Sequence, residues 1–321
     1  MAQRALVTGG AGFIGSHVAD ALQAAGMTVE VLDNFSSGRH ANVPAGRLVH
    51  DLDVGSPEAR RVIAMGGFDV VCHLAAQIDV RRSVADPIHD AAINVLGTLN
   101  VAEGVRAAGG TARIIFSSTG GALYGDFVTP PNVEDFPKDP ESPYGIAKLS
   151  AEYYLAYYSR VHGLRYVALR YANVYGPRQD PHGEAGVVAI FCNRMLAGEP
   201  LTVFGDGSQT RDFVFVKDVA QANLRAATGP MPTAGRLDAR AFNVGTGVET
   251  SVTELAHAML AAAESDVPVE NAPARPGEQQ RSAVSIARAQ EILNWTPQVS
   301  LADGLRETYE WFASQRTAGA A

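Results

Sequence analysis

The first 33 residues constrain the fold more than any other stretch. An apolar run, Arg4-Ala5-Leu6-Val7-Thr8, leads into Gly9-Gly10-Ala11-Gly12-Phe13-Ile14-Gly15. A helical pattern follows to about Ala25, then a second apolar run, Thr28-Val29-Glu30-Val31-Leu32, and then Asp33. Strand, glycine-rich turn, helix, strand and acid in that order is the plan of a dinucleotide-binding unit. Glycine at positions 9, 12 and 15 allows a tight turn, close approach of the backbone to a pyrophosphate and close helix packing. The helix N-terminus then faces the phosphates. Asp33 lies 18 residues beyond Gly15, where a carboxylate hydrogen-bonds an adenosine ribose 2'-hydroxyl and repels a 2'-phosphate. NAD is therefore expected over NADP, with Arg39 near enough to weaken the preference.

Further along, Arg47-Leu48-Val49-His50 reads as a third strand, and Asp51-Leu52 follows where an adenine would be met. Residues 68–76 read as a fourth strand running into Ala75-Ala76, small residues that let a cofactor lie against the backbone; His73 reads as structural. Residues 91–108 are helical with apolar residues on most faces, which predicts a helix buried nearly all round. Residues 144–162 carry two apolar stripes, Ala147/Ala151/Tyr154/Tyr158 and Ser150/Tyr153/Tyr157/Val161. One belongs on a sheet, and the other on a second subunit or under a loop of the same chain. Strand–helix alternation continues to Tyr166-Val167-Ala168-Leu169-Arg170, which argues for an α/β fold with a doubly wound parallel Rossmann sheet.

After Tyr175-Gly176-Pro177 the rhythm breaks. The pattern predicts a polar loop (178–186), a helix (187–197), strands at 201–204, 211–216 and 241–244, and helices near 252–264, 285–293 and 301–316. This gives a dinucleotide domain of residues 1–176 plus about 212–246, and a smaller α/β substrate-binding lobe of about 177–211 plus 247–321. The tail from Ser314 to Ala321 reads as disordered.

Chemistry is suggested by Ser117-Ser118-Thr119 and, 25 residues after Thr119, by Tyr144-Gly145-Ile146-Ala147-Lys148. Tyr and Lys four apart on a helix share a face. A cation beside a phenol favours the phenolate, and a nearby hydroxyl can hold the oxygen whose proton the phenolate takes. That equipment oxidises a secondary alcohol when a hydride acceptor is bound alongside.

Composition excludes several classes. A net charge of -8 in 321 residues gives no basic footprint for nucleic acid. No run of about 18 apolar residues appears, so no membrane span is expected, and a strand starting at Arg4 leaves no room for a signal peptide. Cys72 and Cys192 sit in apolar surroundings and read as buried thiols of a cytoplasmic protein. The eight histidines show no metal-ligand spacing, and no internal repeat stands out.

Taken together, the chain resembles the extended short-chain dehydrogenase/reductase family over nearly its whole length, and within it the UDP-glucose 4-epimerases. The matching stretches are TGGAGFIGS (8–16), LDNFSSG (32–38), HLAAQ (73–77), INVLGT (93–98), FSSTGGALYG (116–125), SPYGIAK (142–148), LRYANVYGPRQDPHGEAGVVAIF (169–191), FGDGSQTRDFVFVKDVA (204–220), FNVGTG (242–247) and RPGE (275–278). The resemblance implies a catalytic trio of Thr119, Tyr144 and Lys148, with Ser118 as a stand-in for Thr119. It implies NAD contacts from Gly9, Gly12, Phe13, Ile14, Gly15, Asp33, Asn34, Asp51, Leu52, Ala75, Asn94, Tyr144 and Lys148. UDP-sugar contacts would come from Thr119, Asn173, Val188, Phe204, Arg211 and Arg275, with Glu278 on a uridine ribose hydroxyl. Arg211 and Arg275 suit a diphosphate by forked hydrogen bonds, and Phe204 could stack on uracil. A homodimer through the helices at 91–108 and 144–162 is also implied.

The reaction so implied is reversible inversion at C4 of a UDP-hexose through a 4-keto sugar. Tyr144 takes the C4 hydroxyl proton, C4 hydride passes to NAD, and the ketone turns over before hydride returns. Three alternatives stand beside it. The 4,6-dehydratases carry Asp-Glu after the catalytic Thr, whereas Gly120-Gly121 follows Thr119 here. An epimerase of UDP-glucuronate would use Arg178, but Asp180 would oppose a substrate carboxylate. A non-catalytic NAD-sensing protein usually lacks the Tyr or the Lys, and both are present. In epimerases restricted to plain hexoses a bulky aromatic can follow the RPGE-like segment. Ser282 falls near that position, so UDP-N-acetylglucosamine is expected to fit as well.

Overall fold

The computed structural model describes residues 2–181, 186–274 and 279–319. The strands are β1 (Arg4–Thr8), β2 (Thr28–Asp33), β3 (Val49–Asp51), β4 (Val70–His73), β5 (Arg113–Thr119), β6 (Arg165–Tyr171) and β7 (Asn173–Tyr175). They continue as β8 (Leu201–Phe204), β9 (Thr210–Arg211), β10 (Phe213–Phe215), β11 (Ala241–Val244), β12 (Thr250–Ser251), β13 (Val269–Ala272) and β14 (Arg281–Ser282). Seven of them form one parallel sheet in the order β11-β6-β5-β4-β1-β2-β3. Helices cover both faces, so the central strands are apolar without alternation, as in Ile114-Ile115-Phe116 and Val167-Ala168-Leu169. One core layer is filled from the helices Phe13–Ala24, Val216–Thr228 and Ala287–Leu293. The other is filled from Pro57–Met65, Gly97–Ala107 and Pro143–His162. The chain winds outward in opposite directions from β1 and β4, which leaves a crevice at their carboxyl ends.

Three local features place side chains at that crevice. Gly9 and Gly15 pack where no Cβ fits: one on Gly9 would meet Ala75 N at 2.6 Å, and one on Gly15 would meet Gly9 O at 2.0 Å. The Pro143–His162 helix starts sharply, because Ser142 caps it by accepting from Gly145 N (3.2 Å), and it stops at Gly163 with φ 72°. Third, the helical run from Pro87 to Ala107 contains a π-helical turn at Ala92–Leu96. Such a turn rotates the face that follows. Asn94 and Thr98 are turned inward, while Ile88 and Leu96 are exposed, so this helix is not buried all round as its composition suggested.

The remaining elements build a second core. The helices Val187–Ala197, Val252–Ala262 and Leu301–Gly319 pack around β8 and β10. Three expectations need correction, and two helices add to what the sequence indicated. Ala289, Leu293 and Trp295, assigned by sequence to the lobe, fill the sheet's core, and Trp295 Nε1 donates to Asp218 O (2.9 Å). Residues 211–216 do not form one strand. Asp212 interrupts it and caps the 245–247 turn, and Val216 already begins a helix. Helices Pro57–Met65 and Val216–Thr228 were not anticipated. The tail from Ser314 is helical to Gly319, continuing a helix that packs on the lobe.

Candidate active site

Thr119 ends β5 at the crevice, and Tyr144 and Lys148 lie on the first two turns of the Pro143–His162 helix. The Thr119 hydroxyl neighbours the Tyr144 phenol and acts to lower its pKa. Tyr144 is half-buried, and its backbone N–H donates to Ser83 Oγ (3.2 Å). Lys148 is buried; its Nζ donates to Ser117 O (2.9 Å) and sits 5.9 Å from the Tyr144 ring centroid. Burial pushes the Tyr144 phenol up, the charge of Asp90 adds to this, and the neighbouring Thr119 hydroxyl opposes it. Burial drives Lys148 down to about 8, while Asp90 and Glu152 act to raise it. A lysine poised there changes its charge close to neutral pH.

Ser118 is not brought to the pair. Successive strand residues face opposite ways, and Ser118 Oγ donates to buried Glu152 Oε1 at 2.5 Å. His73 is structural in its contacts: its ring nitrogens meet Thr8 Oγ1 (2.8 Å) and Thr98 Oγ1 (3.0 Å), and burial pushes it down to about 3, leaving it neutral.

The glycine-rich turn leaves Gly12 as N-cap of the Phe13–Ala24 helix with no side chain capping it. Uncapped N–H groups of a first turn suit a phosphate. Asp33, at the end of β2, accepts from Ala11 N (2.9 Å) and Phe35 N (2.8 Å). Asn34 donates to Asp53 Oδ2 (3.0 Å), Asp51 ends β3, and Leu52 N donates to Asp33 O (3.2 Å), so these residues line one edge of the crevice. Ala75, across from Gly9, donates its N–H to Thr8 Oγ1 (3.3 Å). Asn94 is buried and donates to Gln77 O and Asp90 Oδ1, both 2.9 Å, while its Oδ1 has no partner among the described residues. A buried acceptor left over beside this crevice marks a place for a donor from a bound group. The residues present therefore fit a dinucleotide.

On the other side, a Cβ on Gly121 would lie 3.9 Å from both Asn173 Oδ1 and Ser282 Oγ, so these three face one another two residues past Thr119. Ser282 pairs in register with Arg211 through β14 and β9. Phe204 ends β8 before the Gly205-Asp206-Gly207 turn, and Val188 is buried in the lobe's core. Arg275 and Glu278 lie outside the described residues.

Sequence reasoning missed the polar cluster behind β5. Arg170, fully buried, reaches Glu152, Asp238, Tyr124 and the carbonyl of Glu134. The signal was present: an arginine directly follows the apolar run Val167-Ala168-Leu169 of a central strand, and Glu152 lies four residues past Lys148 on the same helix face. Asp212, whose carboxylate holds Thr246 N, Gly247 N and Val284 N, was also missed.

A doubly wound sheet, a glycine-rich turn at its switch point and a Thr–Tyr–Lys group beside it define a dinucleotide-dependent protein of the dehydrogenase type. The model of the NAD dependent epimerase/dehydratase family matches residues 5–245, and the chain belongs to that family. It is similar to the UDP-glucose 4-epimerase of Mycolicibacterium smegmatis, with 45% identity over 317 residues, 97% of this chain and 99% of the relative. The structure of a UDP-glucose 4-epimerase with UDP-glucose from Thermotoga maritima matches at TM-score 0.92 and 44% identity, covering 98% of this chain and 100% of that one. A Thermus thermophilus UDP-glucose 4-epimerase in complex with NAD matches at TM-score 0.88 and 42% identity, covering 97% and 99%.

Proposed function

We propose that this chain inverts C4 of a UDP-hexose, interconverting UDP-glucose and UDP-galactose, with NAD held through the cycle. The observation that carries the reading is the Thr119–Tyr144 hydroxyl pair with Lys148 one turn away, beside the crevice where the glycine-rich turn and Asn94 would hold the dinucleotide. Gly9, Gly12, Phe13, Ile14 and Gly15 would seat its pyrophosphate, Asp33 and Asn34 its adenosine ribose, and Lys148 its nicotinamide ribose. The carboxylate of Asp33 favours NAD, since Arg39 points to Asp180 (4.0 Å). Bound there, NAD supplies a hydride acceptor and donor at C4.

The protein's part is proton handling and positioning. Thr119 Oγ1 holds the C4 oxygen, and Tyr144 Oη takes its proton as the phenolate, then returns it when the opposite face is reduced. Lys148 stabilises the phenolate once the dinucleotide is in place. Arg211 and Arg275 hold the diphosphate while the 4-keto sugar turns over.

Two features weigh against the alternatives. A Cβ on Gly120 would meet Val284 Cγ1 at 2.8 Å and Arg170 O at 3.1 Å, so the first of the two acids that a 4,6-dehydratase carries after its Thr is crowded here. Arg178 donates to Asp20 Oδ2 (2.9 Å), which engages it away from a substrate uronate. Ser282 is small, buried and beside Gly121, which supports room for a 2-acetamido group. Ile146, Tyr153, Tyr154, Tyr157 and Val161 form an exposed apolar face on the Pro143–His162 helix, with Tyr153 56% and Val161 60% exposed. That face supports a homodimer. A two-domain division, with the 287–295 segment moved to the dinucleotide domain, completes the reading.

The test is turnover of UDP-galactose by purified protein and by Tyr144→Phe. Wild type should form UDP-glucose, and the variant should fall about 10²–10⁴-fold while keeping its NAD. Equal turnover by the two proteins removes Tyr144 from the chemistry.

A further inference from the structure

Resting on the epimerase reading of the site, we propose that Ser118 and Glu152 are positioning residues that lock Thr119 against Tyr144. The Pro143–His162 helix is fastened to β5 at two successive turns. Lys148 Nζ donates to Ser117 O (2.9 Å), and Ser118 Oγ donates to Glu152 Oε1 (2.5 Å). Lys148 and Glu152 are four residues apart and share a face. Thr119 follows Ser118 directly, so its hydroxyl moves with that second clip.

The clip is anchored from behind. Arg170 donates through Nε to Glu152 Oε1 (3.0 Å) and through Nη2 to Oε2 (2.6 Å), so both carboxylate oxygens are fixed. Arg170 is itself fixed by Asp238 Oδ1 (2.7 Å), Tyr124 Oη (3.1 Å) and Glu134 O (3.0 Å). Ser118, Glu152 and Arg170 are 3%, 1% and 0% exposed. A buried ion pair of this kind rarely stabilises a fold more than apolar residues of the same volume; its best-attested use is fixing register. Here the register is that of the helix bearing Tyr144 and Lys148 along the strand bearing Thr119. Displacement of either by a fraction of an ångström misaligns the hydroxyl pair on which proton transfer depends.

The test uses Ser118→Ala, which removes the clip and leaves the Arg170–Glu152 pair intact, in two assays. In UDP-galactose turnover, kcat should fall about tenfold with KM within about twofold, the split expected when alignment and not binding is lost. In protein carrying 13C-labelled tyrosine, the Tyr144 Cζ resonance, identified by its loss in Tyr144→Phe, should move towards its position in Thr119→Val. Ser118→Thr keeps a hydroxyl on a strand-favouring residue and should restore both readouts. An unchanged kcat, or a lowered kcat with the Tyr144 resonance unmoved, overturns the proposal. A wild-type chain without turnover refutes the epimerase reading instead, and the resonance alone then decides the positioning claim.

Discussion

Gly15→Ala tests the geometry of the dinucleotide turn. The added Cβ would lie 2.0 Å from Gly9 O, 2.8 Å from Gly9 C and 3.0 Å from Gly10 Cα, all of them backbone. Restoring an ordinary C···O separation of about 3.3 Å requires the helix start to back away by about 1.3 Å. Overpacking of this kind costs about 1–3 kcal/mol. In a chain of 321 residues that lowers Tm by about 1.5 °C per kcal/mol. Gly12→Ala is the internal control, because among the described residues its Cβ meets only Gly9 O, at 3.2 Å. It should leave the Tm of NAD-stripped protein nearly unchanged, yet crowd the pyrophosphate. The assay is differential scanning fluorimetry of stripped protein, followed by chromatography of the NAD that co-purifies with each variant. Gly15→Ala should lose both stability and NAD, and Gly12→Ala only NAD. Wild-type Tm and NAD content in Gly15→Ala would refute the close-packing argument.

Lys148 gives two pH signatures. Burial lowers its folded pKa to about 8 from the ordinary 10.5. Between these values the unfolded chain binds the extra proton, so stability attributable to Lys148 rises with pH through that window. Urea unfolding of wild type and Lys148→Met from pH 7 to 10.5 should show wild type gaining on the variant; a constant difference contradicts the burial argument. Wild-type kcat/KM should correspondingly fall above about pH 8 as the cation is lost, and a plateau extending to pH 10 would remove Lys148's charge from the mechanism. Ser282→Tyr should cut turnover of UDP-N-acetylglucosamine relative to UDP-glucose by about 10–200-fold; an unchanged ratio of the two rates counts against Ser282 as a pocket wall. Tyr157→Glu, placed in the middle of the exposed face of its helix, should convert a dimer to monomer in light scattering at micromolar concentration; an unchanged mass means that this face is not the interface.

The sheet was legible because a parallel strand covered on both faces is apolar without interruption. β1 and β5 carry such runs, β6 has one up to Leu169, and β2 is apolar from Val29 to Leu32 except for Glu30. The helices Pro57–Met65 and Val216–Thr228 were harder to read. Each is amphipathic and charged on its outer face, by Glu58, Arg60 and Arg61 in the first and by Lys217 and Arg225 in the second, so neither stands out as an apolar run. The π-turn at Ala92–Leu96 has no signature in periodicity, yet it decides that Asn94 faces inward and Leu96 outward. Thr119, Tyr144 and Lys148 could be named from motif spacing. The expected effect of Lys148 on Tyr144 could not be checked in that way, because it depends on where Nζ points, and Ser117 O holds it. Ser118 is excluded from the pair by strand alternation, which was readable in principle, but its bond to Glu152 requires the three-dimensional fold.

The most direct measurement is proton NMR of purified protein with UDP-glucose and UDP-N-acetylglucosamine in one tube and no NAD added. C4 inversion with retained cofactor predicts galacto-configured anomeric signals from both sugars. A new 6-deoxy methyl signal would show a dehydratase. No change in either sugar, repeated with NAD supplied, would contradict the UDP-hexose assignment.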